Sequence, residues 1–519
     1  MALDSGDVAW VIAATALVMI MTPALGFFYG GLVRRKNLVS TIVQCLTIFA
    51  LVSLVWALWG YTLALGPSFY GVIGNLSNFG LMNVGAQPNP GYSTTIPEIL
   101  YFAFQLKFAA ITPALIIGAF AERIRFKALL LYIVLWTTLI YVPIAHWNWG
   151  IGGWLKGLGV IDFAGGLVVH TSAGVSAVAA ALVLGRREGL GSLDSRPNNV
   201  PYVILGASVL WFGWFGFNAG SALKADALAV NALVVTNLAA AASAMSWMFA
   251  DWMKKGKPSA VGLSVGAVCG LVAITPASGY VGPMPAILIG LVAGLLCNQA
   301  AGWRARTALD DSLDVFACHG VGGIWGTLAT GLFASKAINL AGPDGLVFGN
   351  PGLVGIQALA CVVVAAFAFA GSYALLRLIN RFIPLRISPA GESLGLDLFE
   401  FGEEAYASEA EERPHVAPSA TSGRIPGVEF LPLNRGRIRT RPSKPRTAGP
   451  PSPRPPVPIS LVRGPCVRPM RSLGRCRRAT RGTGGPRRAP PKGRPPGAPG
   501  SRVRRPPSRS DGNRALGPG

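Results

Sequence analysis

Only four histidines occur in 519 residues, and two of them, His170 and His319, stand inside strongly apolar stretches, "DFAGGLVVH" and "DVFACHGVGG". An ionisable group in hydrocarbon is costly and by default marks a substrate or proton path. Taken singly, either ring could equally be a hydrogen-bonding packing residue between helices. The chemistry open to both together is narrow. Desolvation disfavours a charged imidazole, whereas a neutral pair can share a hydrogen bond and still offer a donor or acceptor to something small. No further His, Cys or carboxylate stands at ligand spacing, and zinc usually takes three or more protein ligands, so neither a metal nor another cofactor is expected. No activated Ser or Cys accompanies the pair, which argues against an intramembrane hydrolase and against an enzyme generally.

The elements that must position the two rings are membrane spans. The chain is 51% hydrophobic and 13% charged, with mean hydropathy +0.46, against about 25% charged residues in a soluble domain. Apolar runs long enough to cross a bilayer predict eleven spans, at 7–31, 40–64, 97–120, 128–145, 164–184, 199–220, 228–252, 258–276, 285–303, 315–335 and 352–378. The first lacks a basic n-region and reads as a span, not a cleaved signal peptide. Basic clusters follow every odd span to the ninth: Arg34–Lys36, Arg123–Lys127, Arg186–Arg196, Lys254–Lys257 and Arg304–Arg306. The opposite loops hold only Lys156, Lys224 and Lys336. By the positive-inside rule the N-terminus lies outside and the C-terminus in the cytoplasm of a cell-membrane protein. The expected fold is therefore an all-α polytopic membrane protein of eleven transmembrane helices, two five-helix inverted repeats plus a final helix. His170 falls in the fifth span and His319 in the tenth, equivalent places across a pseudo-two-fold, where such repeats put their substrate sites.

Charge and cysteines are less informative. The formal net charge is +23, but residues 420–519 alone carry 24 Lys and Arg against Glu429 and Asp511. The membrane body is nearly neutral, and no specific nucleic-acid partner is expected. Five cysteines (Cys45, Cys269, Cys297, Cys318, Cys361) are scattered singly through spans and read as small buried apolar side chains.

Longer motifs narrow the reading. "FFYGGLVRRKN" (27–37), "FAAITPALIIGAFAERIRF" (108–126), "DFAGGLVVH" (162–170), "WFGWFGFNAGSA" (211–222), "KPSAVGLSVGAVCGLVAITPASGY" (257–280) and "DVFACHGVGGIWG" (314–326) together resemble the Amt/Mep/Rh ammonium transporter family, on the Amt side. The resemblance covers about residues 5 to 406 in one order. It implies transmembrane transport of ammonium, with methylammonium as an analogue. It implies that Ser221 and Trp149 recruit NH4+ in an outer vestibule, Trp149 through the cation–π attraction of an indole face. Phe108 and Phe217 resemble the stacked pair that gates the outer mouth. His170 and His319 look like the twin histidines of the pore, with Trp214 a pore-lining aromatic beside them. Asp162 resembles the carboxylate beneath the recruitment site, and Asp314 its structural counterpart in the second half. Read without the motifs, the aromatics are packing residues and Asp162 a helix cap. Lys107, beside Phe108, departs from the pattern: it either snorkels to the interface or faces the vestibule and repels ammonium.

The resemblance also implies a homotrimer with one pore per subunit, and a PII-type regulatory protein as partner at the cytoplasmic face. Residues 1–386 form the expected transmembrane domain and 387–419 a cytoplasmic C-terminal regulatory region, in which Phe401-Gly402-Glu403 replaces the family's His-Gly-Glu. Residues 420–519, rich in Arg, Pro and Gly, have no repeating apolar pattern and are expected to be a disordered basic tail. A polybasic segment attracted to anionic lipids or nucleic acid, unselected sequence, and an altered reading frame in a GC-rich gene all fit that tail. An ammonium sensor with weak transport, signalling through its C-terminal region, is the alternative function.

Overall fold

The structure is a computed structural model that describes residues 2–190 and 196–406. The expected tail at 420–519 and the last part of the 387–419 region lie outside the described residues. Eleven helices occupy the predicted stretches. They are α1 (Ser5–Leu32), α2 (Arg35–Leu65), α3 (Glu98–Phe120), α4 (Phe126–Gly157), α5 (Gly166–Leu184), α6 (Val200–Ala222), α7 (Ala227–Lys255), α8 (Ala260–Ile274), α9 (Pro283–Arg304), α10 (residues 316–333) and α11 (Gly352–Phe382). Among the described residues, all but α8 and α10 are long and apolar enough to cross a membrane. Both exceptions are shorter than predicted. α8 has 15 residues and runs on as turns to Tyr280, and α10 is a six-residue π turn followed by a 12-residue α-helix.

Local chemistry sets several of the ends. Asp4 caps α1 by accepting from the Asp7 N–H at 2.9 Å, Asp226 caps α7, and Ser259 caps α8, each supplying an acceptor for an orphan first-turn donor. Gly256, at φ +73°, ends α7 in the left-handed conformation that favours glycine. Leucine, valine and phenylalanine side chains such as Leu54, Phe212 and Val362 remain exposed on the outer faces, as a bilayer-facing surface requires.

The packing follows the expected two-fold. The first helices of the two halves, α1 and α6, lie against each other. A Cβ on Gly206, Gly213 or Gly216 of α6 would strike α1 at Phe28, Met21 or Leu17, so small residues let the backbones close, the usual device between membrane helices. The fifth helices meet in the same way: a Cβ on Gly174 of α5 would collide with the backbone of Gly320 in α10. Both helices open with a π-helical stretch, Gly166–Thr171 and Phe316–Val321, and each stretch carries its histidine. Single-turn π segments recur at functional positions in helices.

One end of the bundle is tied by buried charge. Arg123, fully buried, donates to the carbonyls of Ala119 (2.9 Å) and Asp310 (2.7 Å). Glu122 pairs with Arg34 at 2.7 Å and with Arg187 at 3.3 Å, and Arg187 pairs with Asp310 at 3.0 Å. Burial pulls Arg123 down to about 10. At Asp310 burial acts upward, but Arg187 and Arg123 outweigh it and hold the carboxyl below its ordinary range. The segment after α11 docks here as well. Asp397 accepts from the N–H groups of Val39 (3.0 Å) and Ser40 (2.7 Å) at the start of α2, and Phe401 packs edge-on against Phe126 at 5.0 Å.

Candidate functional site

At the opposite end from this arginine knot a cavity of about 860 Å³ opens between helices, lined among others by Phe104, Phe108, Trp149, Asp162, Ser221 and Tyr280. α3 supplies Phe108. α4 supplies Trp149, the last residue before the bend at Gly150. α6 supplies Ser221 from the single 3-10 turn at its end. The Ser221 hydroxyl donates to the Phe217 carbonyl at 2.8 Å, so its proton is committed and its lone pairs are left to accept. Trp149 Nε1 donates to the Asp162 carbonyl at 2.9 Å, which holds the indole in place and leaves its face for a cation.

Behind the cavity the rings form a file. Trp149 meets Phe108 edge-on at 5.9 Å, and Phe108 lies over Phe217 with centroids 4.2 Å apart. Phe217 is fully buried, 6.1 Å from His170 and 5.4 Å from Trp214. His170 stacks on Trp214 at 5.4 Å and on His319 at 5.3 Å. The two Nδ1 atoms are 3.3 Å apart, at hydrogen-bond distance. Both rings are buried, and among the described residues His170 Nε2 has no hydrogen-bond partner. The sequence thus named six side chains, Trp149, Phe108, Phe217, Trp214, His170 and His319, that the fold joins in one line, with Ser221 beside its entrance.

Asp162 does what a helix cap does, and more. Its carboxylate accepts from Gly165 (2.8 Å), Gly166 (2.7 Å), Leu167 (2.8 Å) and Val168 (3.3 Å), fastening the π turn that carries His170. Its counterpart is not Asp314. Asp314 sits at φ +57° and pairs with Arg304 at 2.7 Å. The neighbouring Asp311, buried, accepts from the Phe316 N–H at 2.7 Å at the head of the second π turn. Asp162 precedes His170 by the same eight residues by which Asp311 precedes His319, a spacing legible in the sequence. Burial, and then the adjacent charge of Asp314, push Asp311 up to about 6.

Lys107 turns away from the cavity: its Nζ lies 5.1 Å from the Phe49 ring centroid. Residues not singled out from sequence also contribute. Thr275 accepts from Trp214 Nε1 at 2.9 Å and fixes that indole, while Phe104 packs on Phe108 at 5.0 Å. Lys156 and Lys336 line the cavity. Among the described residues no group of three or more His, Cys, Asp or Glu is arranged to hold a metal ion.

The arrangement as a whole sets an indole face and a hydroxyl acceptor at the cavity, then a closely packed phenylalanine pair, then two buried imidazoles. The model of the Ammonium Transporter Family matches residues 9–406. The chain is 46% identical over 405 residues to the ammonium transporter of Bacillus subtilis, covering 78% of this chain and 99% of that one. Among solved structures it is similar to Mep2 of Candida albicans (TM-score 0.72, 37% identity, 81% of this chain and 94% of that chain). It is also similar to a structure described as a sensor Amt protein (TM-score 0.71, 33% identity, 76% and 98%). The chain is a multi-pass membrane transporter, not an enzyme, and belongs to the Ammonium Transporter Family.

Proposed function

We propose that the protein recruits NH4+ in the cavity, strips its proton and conducts NH3 past the twin histidines. The observation that carries this reading is the unbroken file from Trp149 through Phe108 and Phe217 to His170 and His319. Ser221 accepts from the ammonium while Trp149 and Phe108 offer their rings, each cation–π contact contributing about 0.5–2 kcal/mol. Asp162 supports this site through the backbone it holds. Phe108 and Phe217 swing apart to admit the substrate. Beyond them no water-like environment remains to solvate an ion, so the charged form is disfavoured and the neutral molecule proceeds. His170 and His319, with Trp214 alongside, give the neutral species hydrogen-bonding partners along the conduit, with or without relaying the released proton.

The loop charges support an orientation: the arginine-rich end faces the cytoplasm and the cavity and N-terminus face outside. On the same family resemblance, the unit in the membrane is a homotrimer with a pore in each subunit. The segment after α11, docked on α2 through Asp397, is a site through which neighbouring subunits or a PII-type protein act on the pore. Residues 420–519 are dispensable for transport.

The test is uptake of labelled methylammonium into proteoliposomes by wild type, Ser221→Ala and a chain ending at residue 419. The truncated chain transports like wild type, and Ser221→Ala keeps its fold but needs several-fold more substrate to half-saturate. Unchanged half-saturation in Ser221→Ala removes that hydroxyl from recruitment. The similarity to a sensor Amt protein favours a second reading, sensing with weak transport. Ammonium binding without robust uptake in the same vesicles would select it.

A further inference from the structure

The cavity in front of Phe108 carries ammonium groups of its own. Lys156 and Lys336 line it beside Trp149 and Ser221, and among the described lining residues the one carboxylate is Asp162. Asp162 is buried and its oxygens are engaged by four backbone N–H groups, whereas both lysines are exposed. Among the described ion pairs neither lysine has a carboxylate partner. Asp344 accepts from the backbone N–H of Lys336 at 2.7 Å, which puts a negative charge close to that lysine. At Lys156 the contact is different. Its Nζ donates to the backbone carbonyl of Trp149 at 3.4 Å, so a fixed positive charge is anchored to the residue whose indole is offered to the substrate.

We propose that Lys156 sets the affinity of the vestibule for cations: its tethered ammonium raises the external ammonium concentration at which the recruitment site fills. The inference rests on the recruitment reading above. An incoming cation is attracted by aromatic faces and the Ser221 lone pairs, and repelled by a like charge within a Debye length in a cavity partly walled off from solvent. The repulsion acts on the charge alone, so it penalises ammonium and methylammonium by the same factor. It acts before the Phe108–Phe217 pair, so it changes capture and not passage.

Uptake by proteoliposomes, measured against substrate concentration at low ionic strength, separates charge from geometry. In Lys156→Gln the side chain keeps an N–H donor for the Trp149 carbonyl and loses the charge. Half-saturation is expected to fall about three- to tenfold for both substrates, with the change in half-saturation and not in maximal rate. Lys156→Arg keeps the charge and behaves as wild type. Screening with N-methylglucamine chloride, whose cation is too bulky for the file of rings, lowers half-saturation in wild type and Lys156→Arg but not in Lys156→Gln. Equal half-saturation in wild type and Lys156→Gln, alongside a raised value in Ser221→Ala, overturns this inference and leaves the recruitment site standing. A fall in Lys156→Arg matching that in Lys156→Gln overturns it too, because the residue is then a geometric anchor for Trp149. If neither Ser221→Ala nor Lys156→Gln moves the curve, the recruitment reading itself fails.

Discussion

α5 and α10 are built on one plan and do different work. Each opens with a π turn, each has a buried aspartate eight residues before its histidine, and each histidine reaches the other across the interface. The heads of the two helices then diverge. Asp162 gathers four N–H groups of its own turn, while Asp311 accepts from Phe316 with Asp314 and Arg304 crowding beside it. His170 lies against Trp214 and Phe217 as well as its twin, whereas among the ring contacts described His319 stacks on His170 alone. Symmetry accounts for the meeting of the rings. The departures from it give the two histidines unlike surroundings, aromatic rings beside His170 on the α5 side and a charged, tied-down frame at the head of α10.

The comparison breaks most readily at the histidines. Replacing either by Ala removes the polar chemistry of the conduit, and ammonium-dependent current across supported membranes should drop by about tenfold or more. His170→Ala should lose more than His319→Ala, because it also unseats Phe217 and Trp214. His170→Glu keeps a proton acceptor but adds a potential negative charge, and should admit K+ current that wild type refuses. Wild-type current and NH4+/K+ selectivity in both Ala variants would show that the rings only pack.

The capping aspartates come next. Asp162→Ala strands four buried N–H groups, each costing about 1–3 kcal/mol when left without an acceptor. It should lower the melting temperature and the yield of folded protein more than Asp311→Ala does, and Asp162→Asn should recover part of the loss. The reverse order would mean that the two heads do not differ as their hydrogen bonds indicate.

The smallest effect is a pH dependence at the head of α10. Asp311 titrates at about 6 in the fold, against an ordinary value of 3.8. A group raised in the folded state stabilises it fully below its unfolded pKa, and that contribution is lost as pH rises through the folded value. The melting temperature of wild type relative to Asp311→Asn should therefore decline by a few degrees between about pH 4 and pH 7. A difference that stays flat over that window would remove the buried-carboxylate account.

Much of this was legible in the chain itself. Eleven apolar runs and a scarcity of histidine sufficed to place two imidazoles at equivalent points of two halves, because bilayer thickness fixes span length and few side chains tolerate hydrocarbon. The Asp311 assignment was within reach as well, through the shared eight-residue spacing. Three aspartates crowd into residues 310–314, and without that spacing the fold alone separates the buried cap from the one paired with Arg304. Other features leave no pattern in one dimension. Which way Lys107 turns depends on Phe49 from another helix, and the partnership of Trp214 with Thr275 spans α6 and the end of α8. The π turns give no compositional signal, since their glycines read equally as packing residues.

The Nδ1 to Nδ1 contact of 3.3 Å carries one more consequence. A neutral imidazole has a single N–H, so in a shared bond one ring must lend its proton at Nδ1 and keep Nε2 bare, while the other keeps Nδ1 bare and bears its proton on Nε2. The pair is thus a two-position tautomeric toggle. In one setting His170 presents an acceptor and His319 a donor; in the other the two exchange. A molecule of ammonia, which both donates and accepts, finds a complementary partner in either setting. A molecule that can only accept finds just one of the two rings ready for it, and the toggle must be thrown before the next can bind it.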